Sequence, residues 1–161
     1  SKTVVIGSAS VRETNSLLKV TSKLGTVYFK NHPTVSLTSL KLSTNNDVKI
    51  LDQDIYKIFP DTKIIIGTAS GALLEAVACG ISVIIIQNND ELLMNPLADF
   101  GKEKIWAEVT NEEDLVKSID TLIRFREENI TEIANISSWY KDNFFIEPTE
   151  SNICNTFELY D

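Results

Sequence analysis

The residues best suited to chemistry in this sequence fall in four short turns, each directly following an apolar, β-branched run. The most informative joins "TKIIIG" to "GALLEAVACG" through Thr68, Ala69, Ser70 and Gly71. A helix N-terminus presents unpaired backbone N–H groups and a partial positive charge, and a glycine there lets a phosphate approach closely. The spacing therefore predicts a phosphate cradle over Thr68–Gly71. Glu75 follows one helical turn later, and helical side chains lean back towards the N-terminus, so its carboxylate can accept hydrogen bonds from ribose hydroxyls. The plainer roles are an N-cap for Ser70 and a solvated, dipole-favoured carboxylate for Glu75. A capping box would place its acid at position 73, which is Leu73, so that motif does not explain Glu75.

The turn after "TVYFK" supplies Lys30 and then Asn31, His32, Pro33 and Thr34. His32 is the only histidine of the chain, and Pro33 restricts its backbone to extended conformations. A histidine at a strand end can hydrogen-bond a phosphate or a base, and Lys30 adds a nearby cation. The competing role is a turn histidine with a structural hydrogen bond. Gly7, Ser8, Ala9 and Ser10 follow "TVVI" and offer small side chains and hydroxyls for a phosphate or acceptor side, although the turn lacks G-x-G-x-x-G and helix capping by Ser10 is the simpler role. The polar stretch Gln87–Glu91 faces an acceptor, a missing domain or solvent.

These turns need a scaffold, and the pattern supplies one. Thr3–Ile6, Thr62–Ile66 and Ser82–Ile86 are nearly continuous in apolar character, as strands buried on both faces of a parallel sheet are. Further strands are expected at Thr26–Lys30, Val48–Leu51 and Ile105–Val109. Helices are expected at Val11–Leu24, Gln53–Phe59, Ser70–Gly80, Asn111–Ile123 and Glu127–Lys141, with a short one at Ser151–Leu159 after Pro148. The alternation predicts a three-layer, Rossmann-like α/β domain with a mostly parallel, doubly wound sheet of about six strands. Asn111 followed by Glu112, Glu113 and Asp114 reads as a capped helix start rather than a catalytic cluster. Asp52 and Asp54 likewise read as caps. With no Gly- or Ser-rich linker, residues 1–161 form one domain, long enough to bury a core without disulfides or metal.

Composition bounds the function. The net charge is −8, which argues against a nucleic-acid partner, since binding a polyanion needs clustered Lys and Arg. The charge is uneven: residues 1–60 carry eight basic and four acidic groups, leaving room for a small anion near the first half. No apolar run approaches the ~20 residues of a membrane span and no charged-then-apolar signal region opens the chain, so the expected compartment is the cytoplasm. Cys79 and Cys154 lack pairing or metal spacing and read as free thiols.

Together, "KNHPT" (Lys30–Thr34) and "IIIGTASGALLEAVACGISVIII" (Ile64–Ile86) resemble the C-terminal domain of GT-B-type glycosyltransferases, and the likeness extends over most of the chain. The resemblance implies a domain that binds the nucleotide of an activated sugar, with Gly71 at the phosphate turn, Glu75 near the ribose and Gly80 closing the helix. The His-Pro pair is similar to that of the bacterial capsule and teichoic-acid polymer transferases and polysialyltransferase-like enzymes, which implies a cytidine-nucleotide contact at His32 and Ser70 and a CMP- or CDP-linked donor, with a UDP-sugar as the alternative. His32 would be the catalytic group, stabilising the departing phosphate. The pattern departs from many retaining members, which pair glutamates eight positions apart: Gly67 and Val83 flank Glu75 at that distance.

The resemblance further implies no bound metal and no cofactor beyond the nucleotide donor. It also implies a missing N-terminal acceptor domain, without which this half is inactive; any attachment to the inner membrane face would come through the full-length protein. Two rivals remain at this level: a sugar-nucleotide 2-epimerase such as a UDP-N-acetylglucosamine 2-epimerase, and a non-catalytic α/β interaction module.

Overall fold

A computed structural model describes residues 1–88 and 95–145. Six strands form one all-parallel sheet: β1 (Lys2–Ile6), β2 (Val27–Lys30), β3 (Val48–Ile50), β4 (Thr62–Gly67), β5 (Ser82–Ile86) and β6 (Trp106–Val109). Among the described residues five α-helices accompany them: α1 (Val11–Val20), α2 (Ile55–Ile58), α3 (Gly71–Ala78), α4 (Glu112–Glu128) and α5 (Ile130–Phe144). The strand order is β3-β2-β1-β4-β5-β6. The chain winds outwards from β1 to β3, returns to lay β4 beside β1, and then winds the other way. This is the doubly wound, Rossmann-like arrangement, and its switch point lies between β1 and β4.

The pleat explains why those runs are apolar throughout. Successive residues of a strand point to opposite faces, so Val5, Ile64, Ile66, Ile84 and Ile86 pack under Leu17 and Leu18 of α1 and Leu115 and Leu122 of α4. Val4, Ile65, Val83 and Ile85 pack on the other face under Leu73, Ala76 and Val77 of α3 and Ile133, Ile136 and Tyr140 of α5. Register keeps the layers aligned, with Val4 opposite both Tyr28 and Ile65, and Ile65 opposite Val83. Each fully buried Val, Leu or Ile contributes about 1.5–3 kcal/mol, so α3 is held by its inner face although it is only eight residues long.

Local chemistry sets the ends of the elements. Gly80 takes φ +79° after α3, and the Gly80 and Ile81 N–H groups bond the Val77 and Ala76 carbonyls at 2.9 Å each, a Schellman closure that favours glycine. The expected helix at Gln53–Phe59 is only Ile55–Ile58, because Pro60 cannot continue it and the chain tightens into a 3₁₀ turn over Phe59–Asp61. Asp54 caps it, accepting from Tyr56 N–H at 2.9 Å. Among the described residues no such bond marks Asp52.

α1 stops at Val20 rather than Leu24 and gives way to a 3₁₀ turn, where the Thr21 hydroxyl lies 3.0 and 3.2 Å from the Leu17 and Leu18 carbonyls. α4 runs on past Ile123 to Glu128, and α5 begins at Ile130 rather than Glu127. Asn129 divides them, its side-chain amide donating to the Phe125 carbonyl at 3.0 Å. Asn111 caps α4 through Asp114 N–H at 2.8 Å. Pro148, Cys154, the helix expected at Ser151–Leu159 and positions 89–91 of the polar stretch Gln87–Glu91 lie outside the described residues.

Candidate functional site at the carboxyl edge of the sheet

Because all strands are parallel, every turn that follows a strand lies on one edge. The sheet therefore brings Gly7–Ser10, Lys30–His32 and Thr68–Gly71 to that edge, and β1 and β4, which carry the first and last of these, are neighbours at the switch point. β2 and β4 flank β1, so about 10 Å separates the His32 turn from the Ser70 turn at ordinary strand spacing. A ligand of nucleotide size spans that gap, whereas the two side chains do not need to touch.

The β4–α3 turn is open. Thr68 is buried, Ala69 is exposed and Ser70 is half-buried. Ser70 caps α3, its hydroxyl accepting from Ala72 N–H at 3.3 Å. A Cβ added to Gly71 would meet nothing within 4 Å. No positive φ calls for a glycine there either. What Gly71 provides is bare access to the first turn of α3, whose N–H groups carry the positive end of the helix dipole.

Glu75, one turn further, is half-buried and governs two neighbours. Tyr56, on α2 after β3, has its phenol pKa raised by hydrogen bonding to Glu75 and then by that carboxylate's charge. The Cys79 thiol is pushed up first by burial and then by Glu75. Both groups are thus neutral at pH 7, and Glu75 is their shared negative charge.

The β1–α1 turn is closed on itself. Ser8 N–H donates to Thr14 Oγ1 at 3.0 Å, and that hydroxyl donates back to the Ser8 carbonyl at 3.2 Å. The Ser8 hydroxyl donates to the Ser10 carbonyl and accepts Ser10 N–H, while Ser10 Oγ caps α1 by accepting Glu13 N–H at 3.2 Å. Both serine hydroxyls are engaged inside the turn. Gly7 is needed for packing: an added Cβ would lie 3.2 Å from the Phe29 ring and 3.3 Å from Thr14.

His32 does make the structural bond a turn histidine would make. Thr34 Oγ1 lies 2.7 Å from Nδ1, and Thr34 N–H donates to the same nitrogen at 3.2 Å. An acceptor Nδ1 in the neutral ring puts the proton on Nε2. The bond therefore orients the ring and leaves Nε2–H as a donor with no partner among the described residues. Next to it, Asn31 donates to the Val35 carbonyl at 2.5 Å while its buried Oδ1 has no partner among the described residues. Lys30 is half-buried and makes no ion pair among the described residues.

A narrow gap lined by Glu13, Leu17, Thr68, Ile86 and Asn88 enters this edge between α1 and the β4–β5 ends. No group of His, Cys, Asp and Glu suited to hold a metal occurs among the described residues. Thr14 and Tyr56 were not legible as site residues. Thr14 sits mid-helix in sequence, and only the fold carries Tyr56 to Glu75.

No protein-family model and no curated protein matches the chain. Solved structures do match in fold. The wall teichoic acid polymerase TagF, solved with CDPG, aligns over 89% of this chain with TM-score 0.58 and 16% identity. The glycosyltransferase of kitacinnamycin aligns over 87% with TM-score 0.55 and 13% identity. CalG4, the calicheamicin glycosyltransferase, aligns over 91% with TM-score 0.50 and 11% identity. The chain spans 36%, 40% and 43% of those three proteins respectively. The fold is thus a Rossmann-like α/β domain of the kind that forms part of these glycosyltransferases.

Proposed function

We propose that this domain binds the nucleotide of an activated donor for glycosyl or glycerophosphoryl transfer, as the C-terminal half of a GT-B-type enzyme in bacterial surface-polysaccharide assembly. The single observation that carries this reading is the open β4–α3 turn at the switch point, where Gly71 leaves the start of α3 accessible. Thr68, Ala69, Ser70 and Gly71 surround the phosphate with backbone N–H groups, and Lys30 adds positive charge. Glu75 accepts from the ribose hydroxyls, in the place where it now faces Tyr56.

His32 is the catalytic group of this half. As the bond to the donor breaks, the electron pair stays on the nucleotide phosphate, and Nε2–H donates to that oxygen. A preorganised donor aimed at developing charge is the largest usual source of rate. No metal is needed when a histidine, a lysine and a helix N-terminus share this charge. The acceptor hydroxyl and the base that takes its proton belong to the other half, so the isolated domain binds without turning over. Gly7, Ser8 and Ser10 form the wall facing the acceptor, built as a rigid turn rather than as ligands. The donor is CMP- or CDP-linked, with UDP as the alternative. The whole enzyme works in the cytoplasm, against the inner membrane face where its polymer is made; no helix of the described residues is long and apolar enough to cross a membrane.

Calorimetric titration with CMP, CDP, UDP and UDP-N-acetylglucosamine tests this. A cytidine nucleotide should bind best and lose affinity about tenfold in both His32→Ala and Glu75→Ala, the loss of one charge-assisted hydrogen bond each. Absence of binding to any of the four, or binding unchanged in both variants, would overturn the reading.

A further inference from the structure

A sizeable cavity among the described residues lies away from the carboxyl edge. About 790 Å³ in volume, it lies at the opposite end of the sheet, between the starts of β4 and β5, the end of α4 and the first half of α5. That volume falls in the range of small-molecule sites. Ile123, Ile130 and Ile133 give it an apolar wall, and Lys63 and Arg126 line it with positive charge.

Neither cation has an acidic partner among the described residues. Among those residues Lys63 makes no ion pair, and the one hydrogen bond of Arg126 there goes to the Gly80 carbonyl. Arg126 is half-buried, and burial lowers its pKa. It nonetheless remains charged at pH 7, because a guanidinium does not deprotonate there. Its bond to Gly80 fixes the guanidinium while engaging one of five N–H donors. The neighbouring hydroxyls donate elsewhere, Thr62 to the Ile58 carbonyl at 2.7 Å and Ser137 to the Ile133 carbonyl at 2.9 Å. The charged donors for a ligand are thus Lys63 and Arg126, with the Ser1 and Cys79 side chains also on the lining. Glu127, exposed at the rim, disfavours a highly charged polyanion.

We infer that this cavity is a second binding site, separate from the carboxyl edge, for a small organic oxyanion: a carboxylate or single phosphate on a short apolar body. Arg126 and Lys63 hold the anion and the isoleucine wall takes the apolar part. Arg126 is anchored to the residue that closes α3, so an occupant of this site abuts the far end of the helix whose start faces the switch point.

Phenyl phosphate is the probe, titrated into the 161-residue chain with backbone amide NMR shifts as readout. The site is supported if shifts cluster at Lys63, Gly80 and Arg126, with affinity falling about tenfold in Lys63→Gln, falling severalfold in Arg126→Lys, and rising in Glu127→Gln. Phenol, which lacks the charge, should leave those amides unmoved. The inference is overturned if phenyl phosphate moves none of these amides at tens of millimolar, if its shifts are confined to Thr68–Gly71, or if neither Lys63→Gln nor Arg126→Lys weakens it while their spectra remain dispersed.

Discussion

The two strand-to-helix turns that flank the switch point are built in opposite ways. After β1, Ser8, Ser10 and Thr14 satisfy one another, and Gly7 is packed against Phe29. After β4, the Ser70 cap is the one side-chain bond among the described residues, and Gly71 faces open space. Both turns are short, glycine-containing and hydroxyl-rich in sequence, yet one is a finished structural joint and the other presents an unfilled helix start. Hydroxyls near a sheet edge therefore say little about binding until their partners are known. A glycine with neither a crowded Cβ nor a positive φ is the more telling sign.

The largest expected effect is on the closed turn. Thr14→Val removes both bonds to Ser8 and leaves a buried N–H and carbonyl unpartnered, for a loss of about 2–4 kcal/mol in urea unfolding, with nucleotide affinity little changed in the folded protein. Gly7→Ala should cost about 1–3 kcal/mol through contact with the Phe29 ring. A neutral result in either would mean that the first turn is looser than described.

On the open turn the signs reverse. Gly71→Ala puts a methyl into empty space and improves helix propensity, so unfolding stability should hold or rise by up to about 1 kcal/mol, while calorimetry shows nucleotide affinity falling about tenfold. The smallest effect concerns Glu75. Its charge contributes to holding the Cys79 thiol protonated, and the thiolate is the reactive form. In Glu75→Gln the thiol pKa falls, so alkylation of Cys79, which is exposed, should speed up at fixed pH near 8, by less than severalfold because desolvation rather than Glu75 is the larger cause of the raised pKa.

Much of the scaffold was legible because a parallel sheet writes itself as unbroken β-branched runs. Ser82–Ile86 was read to the residue, and the other five strands to within one residue at either end. Helix ends were less legible, since they turn on Pro60, Thr21 and Asn129, whose effect depends on bonds to carbonyls a turn away. At the site, the Ser70 cap and the exposed Gly71 follow from local spacing. The fixed orientation of His32 depends on Thr34, two residues on, and was foreseen only as a competing role. The closure of Ser8 onto Thr14 across six residues and the meeting of Tyr56 with Glu75 across two strand connections are products of the fold. The amino-edge cavity left no trace in sequence, because Lys63, Gly80 and Arg126 come from three separate elements.

The claim that the β4–α3 turn holds a nucleotide phosphate is tested most directly by backbone amide shifts of the 161-residue chain titrated with CDP. The account predicts saturable shifts centred on Thr68–Glu75 with a second group at Asn31–Thr34, and little change at Ser8–Thr14. Shifts centred on the Gly7–Ser10 turn, or no shifts at the carboxyl edge at all, would contradict it.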